Sequence, residues 1–285
     1  MKETTLIQDT PTLTETTLVL GGNGKTGRRI VRQLQERGFP VRIGSRSASP
    51  AFDWNDRSNW GEVLRGVSSI YIAYHPDLAA PGATDIIQAL VDTAREQGVK
   101  KLVLLSGRGE EEAQRCEGIV RASGIPFTIV RCAWFNQNFS ENFIRDMVLG
   151  GTIALPINEV REPFVDVEDI ADVSVAALTG DGHEGQLYEL TGPALLTYAD
   201  AAAEISKATG REIRFQPISH DEFMAGLQSM HLPGELTQLL DYLLSEVLDG
   251  RNESLTDGVQ RALGRPPRSF ADYARRAFAE GYWNA

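Results

Sequence analysis

With 285 residues, 42% of them hydrophobic, the chain can build one large α/β unit with a sizeable core. Its 39 acidic and 28 basic residues leave a net charge of −11, which argues against nucleic acid as a main partner. No run of about 18 apolar residues occurs, so no membrane partner is expected.

Residues 1–16 are threonine-rich, lack the apolar centre of a secretory signal and read as a flexible lead-in. Two cysteines, Cys116 and Cys132, suit a reduced cytoplasmic protein better than a disulfide scaffold. Next, the apolar run Thr17–Leu20 breaks into glycines at 21, 24 and 27, and an amphipathic pattern follows. That is a strand, a tight turn and a helix start. Glycine permits the turn and lets backbone N–H groups approach a ligand. The helix start adds unpaired donors and a positive dipole end. Gly21, Asn23, Gly24, Lys25, Thr26 and Gly27 are therefore expected to cradle a pyrophosphate.

Further strands are expected at Val41–Ile43, Ile70–Ala73 (counted as the fourth), Leu102–Leu105 and Phe127–Val130. Helical patterns lie between them at Lys25–Arg37, Asn59–Arg65, Asp85–Gln97 and Glu110–Ala122. Strand alternating with helix implies a doubly wound parallel sheet of Rossmann type. Beyond about residue 150 the pattern changes. Phe164–Ala171 reads as a short strand feeding a helix, with Asp166 as its N-cap. A strand at Gly185–Leu190, a helix at Tyr198–Thr209 and an edge strand at Ile213–Pro217 follow. Helices then cover Ser219 to about Leu248, and a last one covers Arg268–Phe278. The expected division is a dinucleotide-binding domain over 17–150 and a smaller, mostly helical substrate-covering region over 151–285, part of which returns to the sheet. Residues 1–150 carry a net charge of +1 and residues 151–285 carry −12. The near-neutral half is the one suited to a polyanionic cofactor.

The end of the second strand chooses the dinucleotide. An acid there bonds the ribose 2′-hydroxyl of NAD, whereas an arginine accommodates the 2′-phosphate of NADP. This chain offers Ser45, Arg46 and Ser47 and no carboxylate, which points to NADP(H). Lys25 is a second candidate for that phosphate. Asp53 is placed to accept from the adenine amino group, with Trp54 beside the ring. Ligands in such sheets sit beyond the carboxyl ends of the strands. That logic adds Ala73, Tyr74, His75, Ser106, Gly107 and Cys132 to the cofactor site. It puts Tyr74, His75, Arg108, Trp134, Phe135, Asn138 and Phe164 around the substrate.

Short-chain reductases use a Tyr-x-x-x-Lys pair, in which lysine lowers the tyrosine pKa. None of the seven tyrosines here has lysine four residues later. A quinone or an iminium needs less proton assistance than a ketone, so the acceptor is expected to be a small conjugated molecule of that kind. Tyr74 and His75 are the remaining catalytic candidates. The four histidines and two cysteines show no metal-ligand spacing. Glu110-Glu111-Glu112 reads as a helix start favoured by the dipole.

The glycine loop, the Gly44–Ser47 tip, Lys100–Ser106, Thr128–Phe139, Pro163–Ala171 and Leu190–Pro193 together resemble the NmrA-like branch of atypical short-chain dehydrogenases. Phe52-Asp53-Trp54 and Pro267–Tyr273 are locally similar to the festuclavine/agroclavine dehydrogenases, and NADPH:quinone reductases share the outline. The resemblance implies a Rossmann domain, NADP(H) binding, a C-terminal cap and a lost Tyr/Lys pair. It supports an NAD(P)H-dependent oxidoreductase. The alternative is a non-catalytic NADP(H)-binding redox sensor. The oligomeric state stays open, a homodimer included.

Overall fold

A computed structural model describes residues 15–284. Of the expected lead-in, residues 1–14 lie outside the described residues, and Thr16 already belongs to the first strand. The first half alternates as expected. β1 (Thr16–Leu20) leads to α1 (Lys25–Glu36) and β2 (Val41–Gly44) to α2 (Trp60–Leu64). β3 (Val67–Ile72) leads to α3 (Ala83–Glu96), β4 (Lys101–Gly107) to α4 (Glu111–Ala122), and β5 (Phe127–Cys132) follows. One count changes. Ala51–Phe52 forms no strand, because Phe52 buries its ring against Trp54 and Trp60, with centroids 4.8 and 5.3 Å away. Its N–H bonds back to the Ser45 carbonyl at 2.9 Å. The Ile70 strand is therefore third in the chain, not fourth.

After β5 come a 3-10 turn (Asn136–Phe139), α5 (Phe143–Leu149), β6 (Thr152–Leu155) and α6 (Val167–Thr179). β7 (Gln186–Leu190), α7 (Tyr198–Thr209), β8 (Arg214–Pro217) and α8 (His220–Ser229) follow. α9 (Gly234–Tyr242) runs into a π turn (Leu243–Val247), and α10 (Gly258–Leu263) and α11 (Phe270–Ala279) close the chain. The strand expected within Phe164–Ala171 is reduced to one bridge between Val165 and Phe135. Asp166 does cap α6, its carboxylate accepting from the Glu168 N–H at 3.0 Å.

Six parallel strands form one sheet in the order β2-β1-β3-β4-β5-β7. Strand order reverses between β1 and β3, which makes that crevice the topological switch point. Strand side chains alternate between faces. Leu18, Leu20, Ile70 and Ile72 pack with α2, α3 and α4 residues such as Leu64, Leu90 and Val120. Val19, Tyr71 and Val103 face the other way, onto Ile30 and Leu34 of α1 and Ile170 and Val173 of α6. Burial on both faces explains the continuous apolar runs of these strands. A third apolar cluster lies off the sheet and includes Tyr198, Phe223, Phe270 and Trp283. β6 and β8 make a separate parallel pair beside it.

Glu162 lies fully buried within this second half, and neither carboxylate oxygen has a hydrogen-bond donor. Burial raises its pKa from 4.5 to about 8, against the attraction of Arg108. The folded chain thus holds a proton that the unfolded chain releases near 4.5, so stability falls as pH rises from there towards 8. Glu162→Gln removes that dependence. Urea unfolding across this range should show a flatter profile for the variant, with a difference on the order of 3–5 kcal/mol between the two ends. Identical slopes for the two proteins would rule the account out.

Candidate active site

The glycine loop is tied to its neighbours by contacts too close for side chains. Gly21 adopts a positive φ of 73°, and a Cβ there would lie 3.1 Å from the Ala73 carbonyl oxygen. A Cβ on Gly27 would lie 2.2 Å from the Gly21 carbonyl oxygen, so α1 sits directly on the loop. Gly24 is the N-cap of α1, with no side-chain cap and no acid in the first turn. The first N–H groups of the helix are left free for an anion. This uncapped start, roofed by no side chain of its own, fits a pyrophosphate. Asn23 and Gly24 are exposed there, whereas Thr26 and Gly27 are buried and serve the packing of α1.

The loop after β2 lies next door, since the Gly21 N–H donates to the Gly44 carbonyl at 3.1 Å. Ser45 and Ser47 hydroxyls stand 3.2 Å apart, and Arg46 projects exposed with no ion-pair partner among the described residues. Asp53 is half-buried, one carboxylate oxygen accepting from the Asn55 N–H at 2.9 Å. Trp54 is not a free platform for a base. It is buried and packs edge-on against Phe52, Trp60 and Tyr74. Its effect is to brace Tyr74, at a centroid distance of 5.0 Å.

A cavity of about 440 Å³ opens beyond the carboxyl ends of β3, β4 and β5. Tyr74, His75, Ser106, Gly107, Arg108, Cys132, Trp134, Phe135 and Asn138 all line it, as the strand-end rule expects. Lys25 lines it as well. Its ammonium donates to Asn138 Oδ1 at 2.8 Å, while Ser45, Arg46 and Ser47 are not part of this wall. The expectation that Lys25 reaches towards the 2′-phosphate end is therefore corrected. Burial lowers Lys25 to about 8, with Glu141 opposing and Arg28 and Arg29 adding to the effect.

Four expectations change on contact with the side chains. Phe164 is not in the cavity. It is 2% exposed and packs on Phe139 and Tyr198, at 5.4 and 5.2 Å, in the cap cluster. Arg108 reaches the wall, but its guanidinium is committed to Glu189 at 2.7 Å and to the Asn252 and Ser254 carbonyls. Ser106 donates to buried Glu117 at 2.7 Å, and Arg131 holds that carboxylate from the other side at 2.6 Å. Tyr74 is not activated, the opposing pull of Arg57 being outweighed. Burial, then Cys116, raises its pKa, the reverse of what a lysine neighbour would do. Cys132 is likewise held as a thiol, burial pushing it well above its ordinary value.

Two features of the cavity have no counterpart among the expected residues. Leu236, Leu239 and Leu240 of α9, with Leu243 and Leu244 of the π turn, form an apolar roof. Their spacing is a helical stripe that periodicity alone assigns to a core. Asp77 and Glu110 line the wall too. Glu110 is the N-cap of α4, yet its side chain makes no cap hydrogen bond and lies buried. Only Glu111 and Glu112 occupy the first turn as the dipole argument expects.

The segment that presents Trp134, Phe135 and Asn138 is clamped to the start of α6. The Val165 N–H donates to the Trp134 carbonyl at 2.9 Å, and the Asn136 N–H donates to the Val165 carbonyl at 2.9 Å. The Gln137 carboxamide, 2% exposed, donates to Asp166 at 2.8 Å and accepts from the Val167 N–H at 2.9 Å.

The sequence profile of the NmrA-like family matches residues 13–246. Agroclavine dehydrogenase of Claviceps fusiformis is 33% identical, over 90% of this chain and 96% of its own. NAD(P)H azoreductase of Xenophilus azovorans is 30% identical over the same shares. Among solved structures, an NADPH-dependent quinone oxidoreductase of Escherichia coli, complexed with NADPH, superposes with a TM-score of 0.76. It is 20% identical, over 92% of this chain and 99% of that one, a likeness of fold.

Gln137→Ala should destabilise the chain by about 1–3 kcal/mol, because a buried carboxylate oxygen and a buried N–H each lose a partner. The urea midpoint measures it, and an unshifted midpoint would show that the clamp contributes nothing.

Proposed function

This chain belongs to the NmrA-like family, and from that premise we propose an NAD(P)H-dependent oxidoreductase that binds NADP(H) and reduces a small conjugated acceptor such as a quinone or an iminium. One observation carries the reading. The uncapped helix start of the glycine loop lies beside a cavity that is walled by strand ends and roofed by leucines. The relatives named dehydrogenase and azoreductase support the same class of chemistry.

In this reading residues 17–150 hold the dinucleotide and residues 151–285 cover the acceptor, with α6 and β7 returning to the sheet. Backbone groups at Gly21, Asn23, Gly24 and Lys25 would hold the pyrophosphate. Ser45, Arg46 and Ser47 would grip the 2′-phosphate, Arg46 as a fork of donors. Asp53 would meet the adenine, and Ala73, Gly107 and Cys132 would flank the cofactor along the strand ends. When bound, the reduced nicotinamide supplies a hydride. The aromatic faces of Tyr74, Trp134 and Phe135 and the roof leucines would hold a planar acceptor and exclude water. His75, Asn138 and Lys25 would orient its polar atoms. Catalysis then comes chiefly from holding donor and acceptor in register. It proceeds without a Tyr-x-x-x-Lys pair.

Two measurements test this. Arg46→Ala should raise the NADPH dissociation constant about 10- to 100-fold, the value of one or two charge-assisted hydrogen bonds, and leave that for NADH unchanged. An unchanged NADPH constant would defeat the assignment of Arg46. Mixing the protein with NADPH and a panel of quinones and iminium salts should consume NADPH faster than a protein-free control. Tight binding with no consumption by any acceptor would favour the redox-sensor reading instead.

A further inference from the structure

The wall of the cavity holds an arrangement that hydride delivery does not require. Glu110 is 8% exposed, and no N–H or O–H group reaches its Oε2 atom. Another carboxyl group, that of Asp77, stands beside Glu110 on the same wall, close enough for the two to act on each other. Both residues line the cavity.

The backbone around the pair is shaped to admit it. Asp77 follows the end of β3 and turns one oxygen onto the Ala79 N–H at 2.9 Å. Glu110 stands at the N-cap of α4, where a side-chain oxygen can bond the free N–H groups of the helix. It does not. A Cβ at Gly107 would lie 2.2 Å from Glu110 Oε1 and 2.4 Å from its Cδ. Only glycine at 107 leaves room for the carboxyl group.

Two carboxylates in contact repel, and a buried oxygen without a donor loses its hydration with nothing in return. One proton between them answers both costs. We propose that Asp77 and Glu110 form a carboxylic acid dyad sharing one proton, and that this dyad is the acid that protonates the acceptor during reduction. The proposal rests on the reductase reading above.

The step balances as follows. Hydride from the reduced nicotinamide adds to the electrophilic end of a conjugated carbonyl acceptor such as a quinone, and the π electron pair moves to its oxygen. That atom takes the shared proton from the dyad. The acceptor gains two electrons and one proton with the hydride, the nicotinamide is oxidised, and the dyad is left as a dianion that regains a proton from water. The dyad does what the missing Tyr/Lys pair does elsewhere, by holding a carboxylic acid neutral near neutral pH.

Burial raises Glu110 well above its ordinary value, and Asp77 and Glu117 reinforce it; burial raises Asp77 too. Lys25, His75 and Arg108 share the cavity wall with the pair, and Glu117 of α4, Cys132 of β5 and Tyr242 of α9 are the other ionisable groups that interact with Glu110. Among these, Glu117 raises Glu110 and is itself ion-paired with Arg131 at 2.6 Å.

The test uses the full chain with Glu110→Gln and Asp77→Asn. With Glu162→Gln as the common background, since burial keeps Glu162 protonated up to about pH 8, infrared spectra of the protein without cofactor should contain a protonated-carboxyl band at neutral pH that Glu110→Gln removes and Asp77→Asn shifts or removes. With NADPH present, each variant is offered a quinone, which must gain a proton with the hydride, and an iminium salt, which the hydride alone neutralises. The quinone rate should fall about 100-fold or more relative to the iminium rate, the usual share of a general acid. Equal slowing of the two acceptors, or a carboxyl band that survives Glu110→Gln in the Glu162→Gln background, would overturn the dyad. Failure of the unaltered protein to reduce either acceptor would overturn the reductase reading and the donation step with it, while the band still decides whether the pair holds a proton.

Discussion

The carboxamide of Gln137 joins the two stretches on which the cavity depends. Its donor end holds Asp166 and its acceptor end holds the Val167 N–H, so the turn after β5 and the start of α6 are fixed to each other. Asp166 is fully buried and is also held by Arg276 from α11. Three segments far apart in sequence thus meet on one carboxylate. A buried charge is costly unless every oxygen is engaged, so this junction tolerates few arrangements. The aromatic wall of Trp134 and Phe135 inherits that definition, because those residues lie only three and two positions before Gln137 in the chain.

A similar economy governs α1. Arg29 is almost fully buried and bonds Glu141 at 2.8 Å, Glu168 at 2.6 Å and the carbonyl of Lys25 at 2.8 Å. It ties the helix that follows the glycine loop to α6 and to the turn before α5. The loop is therefore positioned from below by the Gly27–Gly21 approach and from the side by this guanidinium. An anion meets donors that are already in place, and little ordering remains to oppose its binding.

Much of the architecture was legible because it is periodic. The strands β1, β3, β4 and β5 are short, mostly apolar runs with both faces covered, and the helices between the strands are amphipathic, so β1 and α1 fall within a residue of expectation. α5, β6 and α10 span 7, 4 and 6 residues, too few for a period to register. In the site, strand-end position predicted which residues would gather, and most of them do. It could not predict side-chain direction. Phe164 turns into the cap, Lys25 turns into the cavity and Arg108 is consumed by the 252–254 segment, each through a partner distant in sequence. Glu110 was hidden by its own neighbours, since three successive glutamates at a helix start satisfy the dipole rule whichever one of them turns inward.

The leucine roof comes from a part of the chain that the sheet does not need. Floor and walls are strand termini whose register is set by backbone pairing, whereas the roof is one amphipathic helix and a π turn laid over them. The strand-end walls and the apolar roof are thus written in separate stretches of sequence. A lineage, or a designer, can recut the ceiling leucine by leucine and admit new molecules while the floor beneath keeps its registration.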